Sequence, residues 1–348
     1  MPSQNKALMF RKIPTGFPVP GEHLTVEPVP FDLEAPAPEG GITVRVLYAS
    51  FDPYMRGRMR APEVKSYSPP FDLNKPVTGR CIAEVVKSNN SLYQPGDLVI
   101  GFLPIQQYCS MSSGDMGRIS LLQNPLGIED IRVFLGALGM PGLTAYASLR
   151  EIGKPKKGET IFVSSAAGTV GQVVGQLAKH EGLRVVGSVG SDAKLDYIVN
   201  KLGFDGGFNY KKDKPADALA RLAPDGIDIY YDNVGGEQLD AALAAMNDFG
   251  RIVVCGMISQ YNLPPDQLYG VKNILNFVSK RLTMRGFIVG DPGFGDKWAN
   301  EHTERVSAWI KDGSLKVVTS ETVGIDNAAE GLVGIFRGEN FGKAVLKL

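Results

Sequence analysis

The chain has 348 residues, enough for about two domains, since single hydrophobic cores stop growing near about 250 to 300 residues. Its 37 basic and 37 acidic side chains balance, and no basic block is present, which argues against a nucleic-acid partner. No apolar run reaches the roughly 18 residues of a membrane-spanning helix, and residues 1–6 lack the apolar core of a signal peptide. We therefore expect a soluble, cytoplasmic protein.

The cysteines favour a reducing compartment and argue against a metal centre. Cys81, Cys109 and Cys255 lie far apart and form no CxxC pair. An odd number of separated thiols is not typical of a disulfide framework. Three thiols cannot supply a four-thiolate zinc site, and the three histidines have no ligand-like spacing. The sequence therefore predicts no metal site.

The first third of the chain has the pattern of a β-rich domain. Short apolar alternations, broken by Pro and Gly, run through residues 6–103, with clear examples at 42–48 and 82–86. The pattern then changes, and residues 133–140 and 142–149 are predicted to be helices that lead into a second domain.

Strand and helix patterns alternate through the second domain. Residues 160–179 combine an apolar strand, a turn of small residues and an amphipathic helix, and residues 184–188 form a second strand. Such alternation predicts a doubly wound parallel sheet. Strands are predicted again at residues 306–311, 316–319 and 344–346.

The turn within residues 160–179 carries the strongest functional signal. It spells A-x-G-x-x-G at Ala166, Gly168 and Gly171, and Gly175 follows one helical turn later. Small residues let backbone N–H groups at a helix N-terminus approach a pyrophosphate, where the helix dipole favours negative charge. Close packing of the helix on the sheet is the alternative explanation. The complete strand-helix-strand unit of roughly 30 residues favours a dinucleotide site.

The end of the second strand favours NADP over NAD. NAD enzymes usually carry a carboxylate roughly 20 residues past the first glycine position, where it holds the ribose 2′-OH. Residues 187–190 here are Gly-Ser-Val-Gly, and the nearby Lys194 can meet a 2′-phosphate. Asp192 is the competing carboxylate, although residues 191–194 also suit a helix N-cap. A solvated helix lysine is the alternative role of Lys194.

Two further loops follow predicted strands and should face a dinucleotide at the carboxyl edge of the sheet. Asn233 can hydrogen-bond a ribose, or it can form a tight turn with the glycines beside it. Tyr261 follows the strand at residues 251–255, and a phenol there can donate to an oxyanion that develops during hydride transfer. A lid or packing role for Tyr261 is the alternative.

In the first domain, Tyr54 and Met55 follow the strand at residues 42–48 and are candidates to line a substrate pocket between domains. The alternative is an Asp-Pro turn with Tyr54 in the core. No Ser/His/Asp or Cys/His arrangement indicates a nucleophile.

Six segments, in order, resemble the medium-chain dehydrogenase/reductase superfamily, and within it the zinc-independent prostaglandin reductase and plant alkenal double-bond reductase branch. These segments are residues 52–56, 166–171, 190–194, 208–211, 232–236 and 255–261. The resemblance covers essentially the whole chain. It implies an α/β protein with a GroES-like β-rich domain (residues 1–132 and 309–348) and a doubly wound Rossmann domain that binds NADP (residues 133–308).

The resemblance also implies an activity, which is NADPH-dependent reduction of the C=C bond of α,β-unsaturated aldehydes and ketones. Hydride transfer to the β-carbon would leave an enolate that Tyr261 or the cofactor ribose hydroxyl stabilises. The family further implies a homodimer. A quinone reductase, an NADP-dependent hydroxy-lipid dehydrogenase and a non-catalytic NADPH-binding protein are the open alternatives.

Positions that match the family motifs imply the site residues. Cofactor contacts are assigned to Pro53, Gly168, Thr169, Val170, Gly171, Gly190, Lys194, Tyr210, Asn233, Cys255, Ile258, Ser259, Tyr261, Phe287, Ile288, Val289 and Asn340. Lys194 and Tyr210 are implied to hold the 2′-phosphate. Substrate contacts are assigned to Tyr54, Met55 and Tyr261, with Tyr261 as the catalytic residue.

One departure from the superfamily argues against zinc chemistry. Zinc alcohol dehydrogenases carry Gly-His-Glu where residues 79–81 of this chain are Gly-Arg-Cys, and the cysteine loop of the structural zinc is missing. Zinc-dependent alcohol oxidation is therefore not expected.

Overall fold

A computed structural model describes residues 5–348. The strands are β1 (Asn5–Phe10), β2 (Leu24–Val29), β3 (Ile42–Ser50), β4 (Lys75–Pro76), β5 (Thr78–Ser88), β6 (Leu98–Pro104), β7 (Tyr108–Met111), β8 (Ile119–Leu121), β9 (Thr160–Val163), β10 (Arg184–Val189), β11 (Gly206–Asn209), β12 (Ile227–Asp232), β13 (Met246–Val254), β14 (Thr283–Gly286), β15 (Thr319–Val323) and β16 (Lys343–Lys347). The helices are α1 (Met55–Arg58), α2 (Met140–Ser148), α3 (Thr169–His180), α4 (Asp192–Asp196), α5 (Pro215–Leu222), α6 (Gly236–Ala245), α7 (Asn276–Ser279), α8 (Ala299–Asp312) and α9 (Ala328–Phe336). Residues 1–4 lie outside the described residues. They are part of the segments expected from the sequence to form the N-terminus and the first domain.

The described chain forms two compact units. The first comprises the residues up to Leu135 together with Thr319–Leu348, and the second is Gly136–Val318. The boundaries expected from the sequence, after residues 132 and 308, lie somewhat earlier in the chain. The second boundary falls later because α8 continues to Asp312 and the segment after it is bonded to α3, where the Lys316 amide donates to Oε1 of Gln176 at 2.7 Å.

The first unit is β-rich, as the sequence predicts. Its seven-stranded sheet has the order β15-β16-β3-β5-β6-β8, with β7 also paired to β3, and a three-stranded sheet has the order β2-β1-β4. β16 runs parallel to β15 and antiparallel to β3, so it joins the two chain segments of this unit. The inward-facing apolar side chains of these strands and of α9 form its core, which includes Leu8, Val44, Leu103, Leu332 and Leu346.

The second unit is a doubly wound parallel sheet, which confirms the predicted fold class. Its six strands have the order β11-β10-β9-β12-β13-β14, and every neighbouring pair is parallel. Counted from β9, this order is 3-2-1-4-5-6, in which ligands bind where the order reverses, at the carboxyl ends of β9 and β12. Ile161 and Val163 pack in one core cluster and Phe162 in another, so both faces of the sheet are covered.

The prediction of a strand at residues 306–311 is wrong, because these residues belong to helix α8. His302 and Val306 are buried in this helix, and Trp309 and Ile310 pack against the same apolar cluster. The spacing of these four residues is the i, i+4, i+7, i+8 stripe of a helix. A six-residue window was too short to show this period. The strand predicted at residues 316–319 begins only at Thr319.

The helix predicted at residues 133–140 is also wrong. A short 3₁₀ turn covers Ile131–Leu135, and the regular helix begins at Met140. The glycines in this stretch explain the break. The amides of Gly139 and Gly142 both donate to the carbonyl of Gly136 at 3.0 Å, which closes a turn instead of a helical ladder. A Cβ atom on Gly142 would lie 1.7 Å from the carbonyl oxygen of Ala137, so this turn requires glycine.

Candidate dinucleotide-binding site

The turn between β9 and α3 forms the first wall of the candidate site. Gly168 is the N-cap of α3 and has no side chain to occupy the helix N-terminus. Gly168, Thr169 and Val170 are half-buried, whereas the next eight residues of the helix are buried. The positive end of a twelve-residue helix therefore meets solvent at a strip of small residues. This arrangement fits a pyrophosphate, which helix N-termini bind through backbone N–H groups.

Two glycines within α3 serve packing. A Cβ on Gly171 would lie 2.4 Å from the carbonyl oxygen of Ser165, and one on Gly175 would lie 1.9 Å from the ring of Phe204. Both the close-packing and the phosphate explanations of the motif thus apply, at different positions. Gly171 and Gly175 let α3 approach the turn and the sheet, and Gly168 leaves the helix start open.

The carboxyl end of β10 is cationic. Lys194 lies in α4 directly after this strand, and Ser191 caps that helix by accepting the Lys194 amide at 3.3 Å. Burial lowers the pKa of Lys194, and the positive charge of Lys211 lowers it further. Two ammonium groups close enough to perturb each other favour an anion beside them. Lys194 was predicted from the sequence and Lys211 was not, although Lys211 belongs to the same segment as Tyr210.

Tyr210 and Gly190 lie together at this end of the sheet. A Cβ on Gly190 would lie 3.1 Å from the Tyr210 hydroxyl, so glycine at this position lets the phenol approach the backbone. The Tyr210 amide donates to the Val189 carbonyl at 3.0 Å, which ties the turn after β11 to the end of β10. Tyr210 keeps 42% of its surface exposed. The structure thus brings Gly190, Lys194 and Tyr210 to one corner.

Asp192, the competing carboxylate in the sequence, is occupied by neighbouring side chains. Its Oδ1 accepts from the Asn209 side-chain amide at 2.9 Å, and its Oδ2 pairs with Lys212. Both partners belong to β11 and the turn after it, and they compensate the charge that would otherwise repel a 2′-phosphate. This corner therefore has the donor set for an NADP phosphate.

The loop after β12 is fixed by its own hydrogen bonds. Asn233 donates its side-chain amide to the Ser164 carbonyl at 2.8 Å and its backbone amide to the Ser164 hydroxyl at 2.9 Å. Oδ1 of the buried Asp232 accepts the amides of Val234 and Gly235 at 2.9 and 2.7 Å. Asn233 is thus held beside the β9 turn, at the reversal of strand order. The Asp232 carboxylate closes the local turn, and the Asn233 side chain bonds to the β9 turn instead.

The loop after β13 is bonded to the loop after β12. The amides of Cys255 and Gly256 donate to the Asp232 carbonyl at 2.9 and 3.0 Å. The amides of Ile258 and Ser259 donate to the carbonyls of Asn233 and Val234 at 3.3 and 3.2 Å, and the Ser259 hydroxyl also reaches Val234. Burial raises the pKa of the Cys255 thiol to about 12, which keeps it neutral.

Tyr261 lies in this loop with 36% of its surface exposed. Its hydroxyl accepts the backbone amide of Met257 at 3.1 Å. A Cβ on Gly256 would lie 2.9 Å from the same hydroxyl, so the glycine makes room for the phenol. The hydroxyl is therefore held in a defined position by its own loop.

The remaining predicted cofactor contacts of this unit, Phe287, Ile288 and Val289, follow β14. Phe287 stacks on Phe294 with ring centroids 5.0 Å apart. The Ile288 carbonyl accepts the Asp291 amide at 3.1 Å, and the Val289 carbonyl oxygen would lie 2.2 Å from a Cβ on Gly295. Phe287, Ile288 and Val289 are all half-buried.

The predicted residues of the first unit lie between β3 and the start of α1, and in the loop before β16. Pro53, Tyr54 and Met55 follow β3, and Asn340 precedes β16, where its side-chain amide donates to the Gly342 carbonyl at 2.7 Å. Met55 has no exposed surface and packs in the core of this unit. Pro53 is exposed and Tyr54 is half-buried. Burial raises the pKa of Tyr54, and the negative charge of Asp52 raises it further.

Comparisons with known proteins agree with this fold. A family described as the N-terminal domain of oxidoreductases matches residues 6–119, and one described as zinc-binding dehydrogenases matches residues 169–310. The NADP-dependent oxidoreductase RED1 of Cochliobolus heterostrophus is 52% identical over 345 residues, which cover 99% of this chain and 98% of that protein. The NADP(+)-dependent 2-alkenal reductase of Nicotiana tabacum is 43% identical, with 98% and 97% covered. The crystal structure of CurA from Vibrio vulnificus in complex with NADPH superposes with a TM-score of 0.88 at 32% identity and 98% coverage of both chains.

The chain belongs to the medium-chain dehydrogenase/reductase superfamily, in its zinc-independent alkenal reductase branch. It is an NADP-dependent oxidoreductase. Within residues 5–348, no group of three or more His, Cys, Asp or Glu side chains is arranged to hold a metal ion. The same residues contain no helix long and apolar enough to cross a membrane.

Proposed function

We propose that this enzyme reduces the C=C bond of α,β-unsaturated aldehydes and ketones. The observation that carries the proposal is the position of Tyr261, whose phenol is fixed in the loop after β13 by the Met257 amide. That loop is bonded to the loop after β12, at the carboxyl edge of the sheet where a nicotinamide dinucleotide binds. The name of the Nicotiana tabacum relative, a 2-alkenal reductase, supports the same substrate class.

The geometry of its loops supports the cofactor contacts proposed for the second unit. The N-terminus of α3 at Gly168, Thr169 and Val170 would hold the pyrophosphate. Lys194 and Tyr210 would hold the 2′-phosphate, with Lys211 adding positive charge. The loops that contain Asn233, Ile258 and Ser259 would lie along the dinucleotide, and residues 287–289 would flank the nicotinamide.

NADPH, when bound, supplies a hydride, which adds to the β-carbon of the substrate. Negative charge then moves to the carbonyl oxygen of the substrate, and Tyr261 would donate a hydrogen bond to that oxygen. A hydroxyl that accepts a backbone N–H becomes a stronger donor through its own hydrogen, as in other hydrogen-bonded chains. One donor placed for an oxyanion contributes about 3 to 4 kcal/mol to transition-state stabilisation. Protonation of the α-carbon completes the saturated aldehyde or ketone.

The test is Tyr261→Phe, assayed by NADPH oxidation with a linear enone. We expect kcat/KM to fall by about 100- to 1,000-fold, the effect of removing one oxyanion donor. NADPH affinity, measured by quenching of intrinsic fluorescence, should change little. Tyr269→Phe is a matched control, because the Tyr269 hydroxyl pairs with Asp240 on α6. Unchanged turnover in Tyr261→Phe would remove the catalytic role of this residue.

The same assay separates the alternative activities. A substrate panel of linear enones, quinones and secondary alcohols, each with NADPH or NADP⁺ as appropriate, compares kcat/KM directly. A preference for enones supports the proposal. Faster reduction of a quinone would indicate a quinone reductase, and oxidation of a hydroxy-lipid alone would indicate a hydroxy-lipid dehydrogenase. Tight NADPH binding without any turnover would indicate a non-catalytic binding protein.

A homodimer is part of the proposal. β14 is the edge strand of the six-stranded sheet, and the neighbouring side chains of Ile274, Leu275 and Val278 are 56%, 78% and 79% exposed. An unpaired sheet edge beside exposed apolar side chains favours association with a second copy. Light scattering on the eluted protein, at concentrations of about 1 to 50 μM that span common dimer affinities, measures the mass directly.

A further inference from the structure

Asn209 is buried at the carboxyl end of β11, in the corner proposed for the 2′-phosphate. Only 5% of its surface is exposed, and its main chain lies beside Val189, the last residue of β10. A buried side-chain amide is costly unless its carbonyl oxygen and its NH₂ group both find partners. The partners of the Asn209 side chain therefore define its role at this edge of the sheet.

The two ends of the Asn209 side chain bind different segments. Oδ1 accepts the backbone amide of Lys211 at 3.2 Å, and Nδ2 donates to Oδ1 of Asp192 at 2.9 Å. The backbone carbonyl of Asn209 also accepts the amides of Lys212 and Asp213, each at 2.9 Å. Asn209 thus orders the turn after β11 and ties the start of α4 to that turn.

Asp192 is an exposed carboxylate, and the turn after β11 holds both of its oxygens. Its side chain is 63% exposed, with Lys212 on Oδ2 and Asn209 on Oδ1. The hydrogen bonds from Lys212 and from Asn209 lower the pKa of Asp192, so this group is ionised at neutral pH. Lys212 is itself 65% exposed, and exposed ion pairs contribute little. The buried Asn209 is therefore the more rigid of the two partners.

The direction of this carboxylate matters because of where α4 begins. In a dinucleotide-binding sheet, a carboxylate after the second strand holds the ribose 2′-hydroxyl of NAD, whereas a cation there accommodates the 2′-phosphate of NADP. Asp192 and Lys194 lie two residues apart at the start of α4, so both residue types are present. A carboxylate that turned toward the ribose would repel a phosphate and accept a hydrogen bond from a hydroxyl.

We propose that Asn209 is a positioning residue for NADP specificity, because it keeps the Asp192 carboxylate on the turn after β11 and away from the 2′-phosphate. The inference rests on the placement of that phosphate beside Lys194 and Tyr210, which is proposed above. It adds a determinant that acts through Asp192 and through the turn that carries Lys211.

The test is Asn209→Asp, which keeps the size of the side chain and the acceptor for the Lys211 amide. The variant replaces the donor to Asp192 with a second carboxylate, and two adjacent carboxylates repel. The measured quantity is the ratio of kcat/KM for NADPH to that for NADH at about pH 8, above the range in which paired carboxylates usually share a proton. We expect this ratio to fall by about 10- to 100-fold, the effect of weakening one charge-assisted contact.

A charge exchange and a matched control separate positioning from folding. The double variant Asp192→Asn, Asn209→Asp rebuilds the amide–carboxylate contact with the roles exchanged, and it should restore most of the ratio. Asn247→Asp is the control, because Asn247 donates to Oδ1 of Asp228 at 2.9 Å in the same way, at the amino ends of β12 and β13. The control should leave the ratio unchanged.

A structural role alone would lower kcat/KM equally with both cofactors. Equal losses in Asn209→Asp, or a charge exchange that restores none of the ratio, would overturn the proposal. If circular dichroism shows that Asn209→Asp does not fold, Lys212→Met replaces it. That variant changes the protein surface, releases Oδ2 of Asp192 and should lower the ratio in the same direction.

A binding measurement separates this inference from the placement of the phosphate. Adenosine 2′,5′-bisphosphate and adenosine 5′-monophosphate differ only in the 2′-phosphate, and the rise in melting temperature that each causes reports binding without turnover. We expect the bisphosphate to stabilise the wild type more, and both Lys194→Ala and Asn209→Asp to lose this advantage. Loss in Lys194→Ala alone would support the phosphate site and overturn the role of Asn209. Loss in neither variant would refute the placement of the 2′-phosphate together with the inference.

Discussion

The buried ion pair between Asp52 and Lys343 should be a main determinant of the stability of the first unit. Lys343→Met is the perturbation. The Lys343 ammonium lies 2.8 Å from Asp52 Oδ1 and 2.9 Å from the Phe51 carbonyl, and the two paired side chains are only 3% and 6% exposed. Methionine preserves the length of the side chain but leaves the Asp52 carboxylate buried without its cation.

The magnitude follows from this burial. Removal of one partner from a buried pair costs about 3 to 5 kcal/mol, because the remaining charge is uncompensated. For a unit of this size, each kcal/mol lowers the melting temperature by about 2 to 4 °C, so we expect a decrease of about 6 to 20 °C. The double variant Asp52→Asn, Lys343→Met should recover part of this loss, since it leaves no buried charge.

The assay is differential scanning calorimetry, with Lys6→Met as the matched control. Lys6 forms the same type of pair with Asp326 at 2.7 Å, but the two side chains are 33% and 67% exposed. An exposed pair contributes about 0 to 1 kcal/mol, so the control should melt within a few degrees of the wild type. Equal effects of Lys343→Met and Lys6→Met would refute the argument that burial sets the cost.

Two other predictions concern the second unit. Lys194→Ala should raise the Kd for NADPH by about 10- to 100-fold, with little change for NADH, because one charge-assisted contact to the 2′-phosphate is lost. Fluorescence titration measures this, Lys201→Ala is the control, and a wild-type preference for NADH would contradict it. Nε2 of His302 lies 2.8 Å from the Ala137 carbonyl, and burial lowers the pKa of this side chain. The neutral form therefore stabilises the fold above about pH 6.5, and this stabilisation is lost as the pH falls below that value. Between about pH 7.5 and 5.5, the melting temperature of His302→Gln should therefore fall less than that of the wild type. Equal decreases in the two proteins would show that His302 does not contribute to the pH dependence.

The fold class could be predicted from the sequence because the parallel sheet depends on local patterns. Buried strands such as β9 and β12 are short apolar runs, and each ends in a turn with its own small or polar residues. The wrong predictions, at residues 306–311 and 133–140, fall in short segments whose apolar pattern fits both a strand and a helix. The stripe of α8 becomes visible only when His302 is considered together with Val306, and residues 133–140 look helical until the close approach at Gly142 is known.

The candidate site was predictable in part, and the limit has a physical cause. Lys194 and Tyr210 are named by residue type and motif position, and the structure brings them to one corner with Gly190. Their neighbour Lys211, whose charge lowers the pKa of Lys194, was not identified as a site residue. Whether a charge is paired depends on which segments meet in space, and no periodicity in the sequence encodes it. Met55 was assigned to the substrate site from its motif position, and this position gives no indication that its side chain is completely buried.

The first unit is assembled from two distant parts of the chain, and this affects the order in which the protein can form during synthesis. The 183 residues of Gly136–Val318 are contiguous, so the parallel sheet can close while the ribosome is still adding later residues. The β-rich unit has to wait for β16. Until β16 is made, residues 48–50 of β3 lack a partner on one edge, because β7 pairs only with residues 42–45 there. An open edge of this kind invites pairing with other chains. Deletion of the last few residues should therefore destabilise the β-rich unit, which is built mostly from the first 135 residues, and leave the nucleotide-binding unit folded.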